Sequence, residues 1–234
     1  KVAFEVNGVY WHSEYRNPDK YYQYKKSKAC NDLGYTLFHI TEGEWDSRQE
    51  AIKSLISRIG GASPVVCASK YNVSIIEYDQ ASEFFEENYY TDFAGGDLFI
   101  ALGDDSGIVA VAALTDMFVE QYCEKLYTAV DHGLDKIVSF LSEYLGSDIG
   151  YASNQNYPIF ELVHSKNFEF IRETDISYKY FYLGNPNNAI SVRDFTETDP
   201  NSVDERVFSK IMKKACVSRI WDAGTKLYKR NPVI

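Results

Sequence analysis

The 234-residue chain is expected to fold as an α/β protein of the α+β kind, built from more than one module. Three observations carry that expectation. Short apolar runs of strand length alternate along the chain with longer stretches whose apolar residues recur at helical spacing. The segment Gly61-Ala62-Ser63-Pro64 interrupts the alternation with the composition of a linker. Charge also changes along the chain: about +1 over residues 1–60, about −14 over 61–192 and about +3 over 193–234, within a formal net charge of −10. Modules are therefore expected at 1–60, at 65–184 and at 185–234, the last being a helix, a short strand and a basic tail.

Residues 1–60 read β-β-α-β-α. Val2–Val6 is a strand, closed by the turn dipeptide Asn7-Gly8, and Val9-Tyr10-Trp11 reads as the returning strand of a hairpin. A helix is expected over 18–33, opened by Pro18 and Asp19 and stopped by Gly34. A strand follows over Tyr35–Ile40. A helix over 45–59 places Ala51, Ile52, Leu55, Ile56 and Ile59 on one face. Beyond the linker the expected order is a strand at 72–77, a helix at 80–88, a hairpin of Asp97–Leu102 with Ile108–Leu114, and a helix at about 132–145. A strand at 149–152, a helix at 157–164 and strands at 168–174 and 178–183 complete that module. Asn185-Pro186-Asn187-Asn188 reads as a loop, followed by a helix at about 203–215 and a strand at 218–221.

Composition narrows the function. Hydrophobic residues at 45% and charged residues at 25% exclude a disordered tail, a collagen-like fibre and a coiled-coil rod. No apolar run approaches 18 residues, so no membrane-spanning helix and no membrane partner are expected. The charged start, Lys1 to Glu5, does not read as a signal peptide. Cys30, Cys67, Cys123 and Cys216 are widely spaced, which suits reduced thiols in a cytoplasm and argues against a structural zinc site.

The segment from Phe4 to Glu14 carries the most chemistry. Strand alternation puts Glu5 and Asn7 on one face, and His12 follows closely enough to return to it. A carboxylate, an amide and an imidazole converging on one spot can hold Mg²⁺ or its waters and poise a general base. The plainer alternative is a solvent-facing strand residue beside a hairpin packed on the core. His39, between Phe38 and Ile40, reads either as a satisfied core histidine or as a site residue. Lys25, Lys26 and Lys28 with Tyr21, Tyr22 and Tyr24 form a basic-aromatic helix face that suits phosphate contact and base stacking, or is simply solvated. The tail adds Lys210, Lys213, Lys214, Arg219, Lys226, Lys229 and Arg230.

Two longer patterns are more specific than their parts. AFEVNGVYWHSE, followed by KKSKACNDLGYTLFHITEGEW, resembles a phage homing-endonuclease family related to the very-short-patch-repair (Vsr) nuclease. The matching positions are Glu5, Asn7, Gly8, Trp11, His12, Lys26, Cys30, Gly34, Leu37, His39, Ile40, Glu42, Glu44 and Trp45. The resemblance implies a truncated restriction-endonuclease-like core of the PD-(D/E)xK type, with Asn7 where a lysine usually stands, in a protein of a host cytoplasm. It implies catalytic roles for Glu5, Asn7, His12 and Lys26, with Glu5 as the metal ligand for Mg²⁺. For DNA contacts the basic-aromatic helix face offers Lys25, Lys28 and Tyr22, and the basic tail Lys213 and Lys214. The family's first metal-binding Asp precedes this strand and has no counterpart here, so impaired cleavage is expected.

The middle of the chain, up to YASNQNYPIFELVHSKNFEFIRETDISYKYF, resembles the family's second, N-acetyltransferase-like mixed-sheet module, and SRIWDAGTKLYK resembles its closing segment. Where an acetyl-CoA loop would stand, the chain has Asp131-His132-Gly133-Leu134-Asp135, whose carboxylates repel a pyrophosphate. No acetyl-CoA is therefore expected. The implied activity is DNA binding with metal-dependent phosphodiester cleavage. The competing expectation is a non-catalytic descendant whose acidic middle module binds a protein partner.

Overall fold

A computed structural model describes residues 1–182, 185–190 and 217–231. In chain order it begins with β1 (Val2–Asn7), α1 (Val9–His12), α2 (Tyr22–Asp32), β2 (Thr36–Thr41) and α3 (Glu42–Ser47). Next come α4 (Gln49–Ile59), β3 (Val65–Cys67), β4 (Asn72–Ile76), α5 (Tyr78–Asn88), β5 (Leu98–Asp104) and β6 (Gly107–Thr115). Then follow β7 (Phe118–Glu124), β8 (Ala129–Asp131), α6 (Gly133–Leu145), β9 (Gly150–Asn154), α7 (Ile159–Val163) and β10 (Phe168–Glu173). The last elements are β11 (Tyr178–Tyr182), β12 (Asn185–Ile190), β13 (Val217–Trp221) and β14 (Thr225–Arg230). The fold is mixed α/β, of the α+β kind expected.

The chain divides into two compact units. Unit 1 comprises residues 1–47, 155–157 and 174–225, and unit 2 comprises 48–154, 158–173 and 226–234. The division thus falls at 47/48, where the sequence suggested 60/65, and the chain crosses between units more than once. The stretch read as one helix over 45–59 is two helices, because Arg48 (φ −126°, ψ 28°) leaves helical geometry between α3 and α4.

In unit 1, β1 and β2 pair in parallel, with Glu5 opposite His39 and Asn7 opposite Thr41. The expected hairpin return over Val9–Trp11 is instead the helical turn α1. A two-residue hairpin turn needs positive φ, whereas Gly8 sits at φ −63°, ψ 126° and its carbonyl accepts the first helical hydrogen bond from His12 N–H at 3.1 Å. Val9 is thereby turned into a small apolar cluster with Phe181 and Ile220. The helix expected from residue 18 starts at Tyr22, since the Asp19 carboxylate holds Tyr21 N–H at 3.1 Å in a local turn. A second sheet of this unit has the order β12-β11-β13, so the loop expected at 185–188 is part of a strand. The helix expected at 203–215 lies outside the described residues.

Unit 2 is built on a seven-stranded sheet of order β10-β14-β9-β7-β6-β5-β4. Strands β4 to β7 form an antiparallel run, and β7 joins β9 in parallel at Phe118↔Gly150 and Val119↔Tyr151. Helix α6 lays Leu134, Ile137, Val138 and Leu141 into the core, beside Ile100, Leu102, Ala112 and Phe160. The sequence reading omitted β7 and β14. The tail residues Lys226, Lys229 and Arg230 belong to β14, where Lys229 pairs with Glu169 across the strand pair at 3.4 Å. Among the described residues no helix is long and apolar enough to cross a membrane.

Candidate functional site

Unit 1 carries an unusual concentration of buried polar side chains. Asn7, Gln23 and His39 are 1%, 4% and 2% exposed. The local fold explains how they meet. The parallel register sets Glu5 beside His39 on adjacent strands, and alternation brings Asn7 to the same face. Helix α2 presents Gln23, Lys26 and Ser27 at i, i+3 and i+4, which form one stripe on a helix. Each residue of that stripe reaches a different partner. Lys26 Nζ donates to Glu5 Oε1, Ser27 Oγ stands 2.7 Å from His39 Nε2, and Gln23 Nε2 stands 3.3 Å from His12 Nδ1. His39 Nδ1 lies 3.2 Å from Glu5 Oε2 and 3.4 Å from Asn7 Nδ2.

These contacts set the charge states. Burial pushes the Glu5 carboxyl up, but His39 and Lys26 beside it more than offset that and hold it at about 2. Burial pulls Lys26 down, and the Glu5 carboxylate outweighs this and raises it. His12 is lowered, first by burial; Glu5 opposes the shift and the charges of Lys26 and His39 add to it. The cluster therefore holds an ionised carboxylate, a cationic lysine and a neutral imidazole at neutral pH.

Glu5, Asn7, His12 and Lys26, expected from the sequence, are thus brought into one network. The basic helix face is not kept whole. Lys26 turns inward to Glu5, while Lys25 and Lys28 point outward, and Lys25 is tied to Asp19 at 2.7 Å. Helix geometry requires the split, because neighbouring residues are separated by about 100° around the axis. Tyr22 packs beside both His12 (ring centroids 5.9 Å apart) and Lys26, whose Nζ is 5.5 Å from the Tyr22 ring centroid. Lys213 and Lys214 lie outside the described residues.

Sequence reasoning missed Gln23 and Ser27, and left His39 open. The spacing of Gln23 and Ser27 to Lys26 on the same helix places them on its stripe but does not by itself tell an inward stripe from a solvated one. It also missed an exposed aromatic cluster: Trp11 and Tyr15 are 64% and 59% exposed, and the Arg16 guanidinium lies 5.2 Å from the Trp11 ring and 5.3 Å from Tyr10. The two carboxylates nearest to this segment in sequence differ. Glu14 holds Arg219 through both oxygens, whereas Glu42, among the described residues, is not so engaged and stands beside Gly8, its Oε2 3.4 Å from where a side chain at Gly8 would begin.

As a holder for a hard divalent cation such as Mg²⁺, the cluster has the right donor chemistry in a small amount. Glu5 Oε2 and Asn7 Oδ1 are buried oxygens that accept no aligned hydrogen bond. Glu5 is the one carboxylate of the network, and among the described residues no three His, Cys, Asp or Glu side chains gather as a ligand set. Comparison of the chain with models of protein families, with curated proteins and with solved structures finds no match.

Proposed function

We propose that unit 1 is a DNA-binding, phosphodiester-handling site of the metal-dependent nuclease type that the sequence resembles, with cleavage impaired in this chain. The convergence of Glu5, Asn7, His12, Lys26 and His39 from two strands and two helices carries this reading. A purely structural cluster gains little from burying so many polar groups, since each must be satisfied or costs about 1–3 kcal/mol. In this role Glu5 and Asn7 hold Mg²⁺, which when bound supplies positive charge to a phosphate oxygen. Lys26 gives a second positive charge to the phosphate, and neutral His12 accepts a proton from water. His39 and Ser27 keep the Glu5 carboxylate in place. The exposed Trp11 and Tyr15, with Arg16, suit base stacking, and Lys28 suits a backbone phosphate.

Impaired cleavage follows from the ligand count. Mg²⁺ asks for near-octahedral oxygen coordination, usually from one or two carboxylates and the substrate. Within the hydrogen-bonded network of described residues Glu5 is the one carboxylate, and Lys26 occupies one of its oxygens. Plasmid incubated with the intact chain in Mg²⁺ or Mn²⁺ is expected to be bound and to stay unnicked. Nicking that Glu5→Ala abolishes would overturn the single-carboxylate account.

A second reading, a non-catalytic protein binder, is favoured by the charge of about −14 over residues 61–192. Under it the chain captures a basic protein surface, and DNA binding is absent even at low salt.

A further inference from the structure

Strand β1 has one bonded edge and one bare edge. Thr36 N–H donates to the Lys1 carbonyl at 2.9 Å. The ladder bonds of a parallel strand run through alternate residues, so Lys1, Ala3, Glu5 and Asn7 turn their backbone groups towards β2. Those of Val2, Phe4 and Val6 point the other way, and among the described residues they meet no partner. The far edge of β2 differs: His39 N–H, which points away from β1, donates to the Asn156 carbonyl at 2.9 Å. The bare edge of β1 also lacks the usual guards against pairing. Its outward residues include no Lys and no Pro, and the β1–β2 register runs without a bulge. Phe4 and Val6 are 39% and 60% exposed, and strand alternation sets Val2, Phe4 and Val6 on the face opposite to Glu5 and Asn7.

This edge is symmetric about Phe4, with a valine two residues away on either side. An antiparallel strand that matches it has the same pattern, and β1 itself has that pattern. We propose that β1 is the contact between two copies of this chain, which join their sheets edge to edge about a two-fold axis at Phe4. Such an interface is isologous, with the same patch used by both copies. Phe4 pairs with Phe4 of the second copy, and Val2 with Val6 twice over. The phase is right for bonding, because these are the residues whose N–H and C=O point outward. Three pairs that each exchange both bonds give about six hydrogen bonds. The apolar side chains of the two strands meet on one face. On the other face Ala3 comes opposite Glu5, so the two polar clusters lie side by side with their Glu5 carboxylates as diagonal neighbours. Each carboxylate is already paired with its own Lys26, which limits their repulsion. The pairing rests on the strand edge and not on the nuclease reading.

Sedimentation of the intact chain over a concentration series is expected to show a monomer–dimer equilibrium. Amide hydrogen exchange locates the contact. The N–H groups of Val2, Phe4 and Val6 should exchange slowly in the dimer and quickly on dilution, while those of Ala3 and Glu5, bonded to β2, stay slow in both. Val6→Lys, at a position open enough to accept a polar side chain, should raise the dissociation constant about tenfold or more. A chain that is monomeric at every concentration would overturn the proposal. A dimer in which the three outward amides exchange freely, or one that a folded Val6→Lys chain retains at full strength, would overturn it too, since another surface is then in use. Slow exchange that survives dilution to the monomer would also overturn it, because the edge is then closed by the chain itself. If Val6→Lys does not fold, the native amides decide between the same outcomes. DNA enters none of these measurements, so failure of the nuclease reading leaves the test intact.

Discussion

Units 1 and 2 solve the problem of burial in opposite ways. Unit 2 is held by a seven-stranded sheet and an apolar core in which Ile137, Leu141, Phe160 and Ile100 are fully buried. Unit 1 pairs β1 with β2 alone, leaves Phe4 and Val6 of β1 exposed, and buries Asn7, Gln23 and His39 beside a smaller apolar set that includes Phe38 and Ile40. Apolar burial at roughly 25 cal/mol per Å² is the usual source of stability. A region that gives up such burial for polar groups is under a constraint other than folding. The contrast is the reason the proposed site is sought in unit 1.

The contrast can be broken by substitution. Phe160→Ala should cost about 3–5 kcal/mol of unit 2 stability, as expected for a fully buried aromatic, and leave DNA binding at unit 1 unchanged. All three tryptophans, Trp11, Trp45 and Trp221, belong to unit 1, so tryptophan fluorescence follows that unit while far-UV circular dichroism follows both. Denaturant curves by the two probes should separate in this variant, with the dichroism midpoint moving further.

Acid should also act differently on the units. Burial lowers His164 to about 3, aided by the charge of Arg58 and opposed by Asp135. A histidine depressed in the folded state takes up its proton more readily when unfolded, so unit 2 should lose stability as pH falls from about 6.5 towards 3. Glu5, held at about 2, contributes stability that is present above its ordinary value of 4.5 and lost as pH falls from there towards 2. His12 adds a smaller loss to unit 1 below pH 6.5. Dichroism should therefore report weakening at mildly acidic pH before tryptophan fluorescence does, and His164→Phe should narrow the gap.

Smaller effects sharpen the picture within unit 1. Lys26→Met leaves the Glu5 carboxylate without its ammonium. The expected cost is about 1–2 kcal/mol, less than for a fully buried pair, because 37% of the Lys26 side chain is open to water. The midpoint of the fluorescence-detected denaturant curve measures it. Changing Lys25 and Lys28 to Glu should leave that midpoint within about 0.5 kcal/mol, since both side chains are exposed, and should weaken DNA binding while steepening nothing in the fold.

Much of unit 2 was legible in the sequence because it obeys simple periodicity. The α6 stripe and the β5–β6 hairpin lie where apolar spacing puts them. Strand β7 was passed over because Phe118-Val119-Glu120-Gln121-Tyr122-Cys123-Glu124 mixes buried polar and apolar positions, and Gln121 is buried to hold Ala94 N–H and the Asp92 carbonyl. In unit 1, Asn7-Gly8 suggested a hairpin, but β1 pairs with β2, as in Val2 with Thr36, and the dipeptide opens a helix instead. Glu5, Asn7, His12 and Lys26 could be named because a carboxylate, an amide, an imidazole and an ammonium have recognisable chemistry. Gln23 and Ser27 could not, since nothing local distinguishes an inward glutamine or serine on a polar helix from a solvated one.

The most direct measurement of the central claim is DNA binding by the intact chain, titrated over a series of salt concentrations and compared with Lys26→Met. If the Glu5–Lys26–His12 cluster is a phosphate-handling site, the native chain binds at low salt, affinity falls linearly on a log–log plot against salt, and Lys26→Met binds more weakly with a slope smaller by about 1. Absence of binding at low salt, or a Lys26→Met chain that binds with the native affinity and slope, would contradict it.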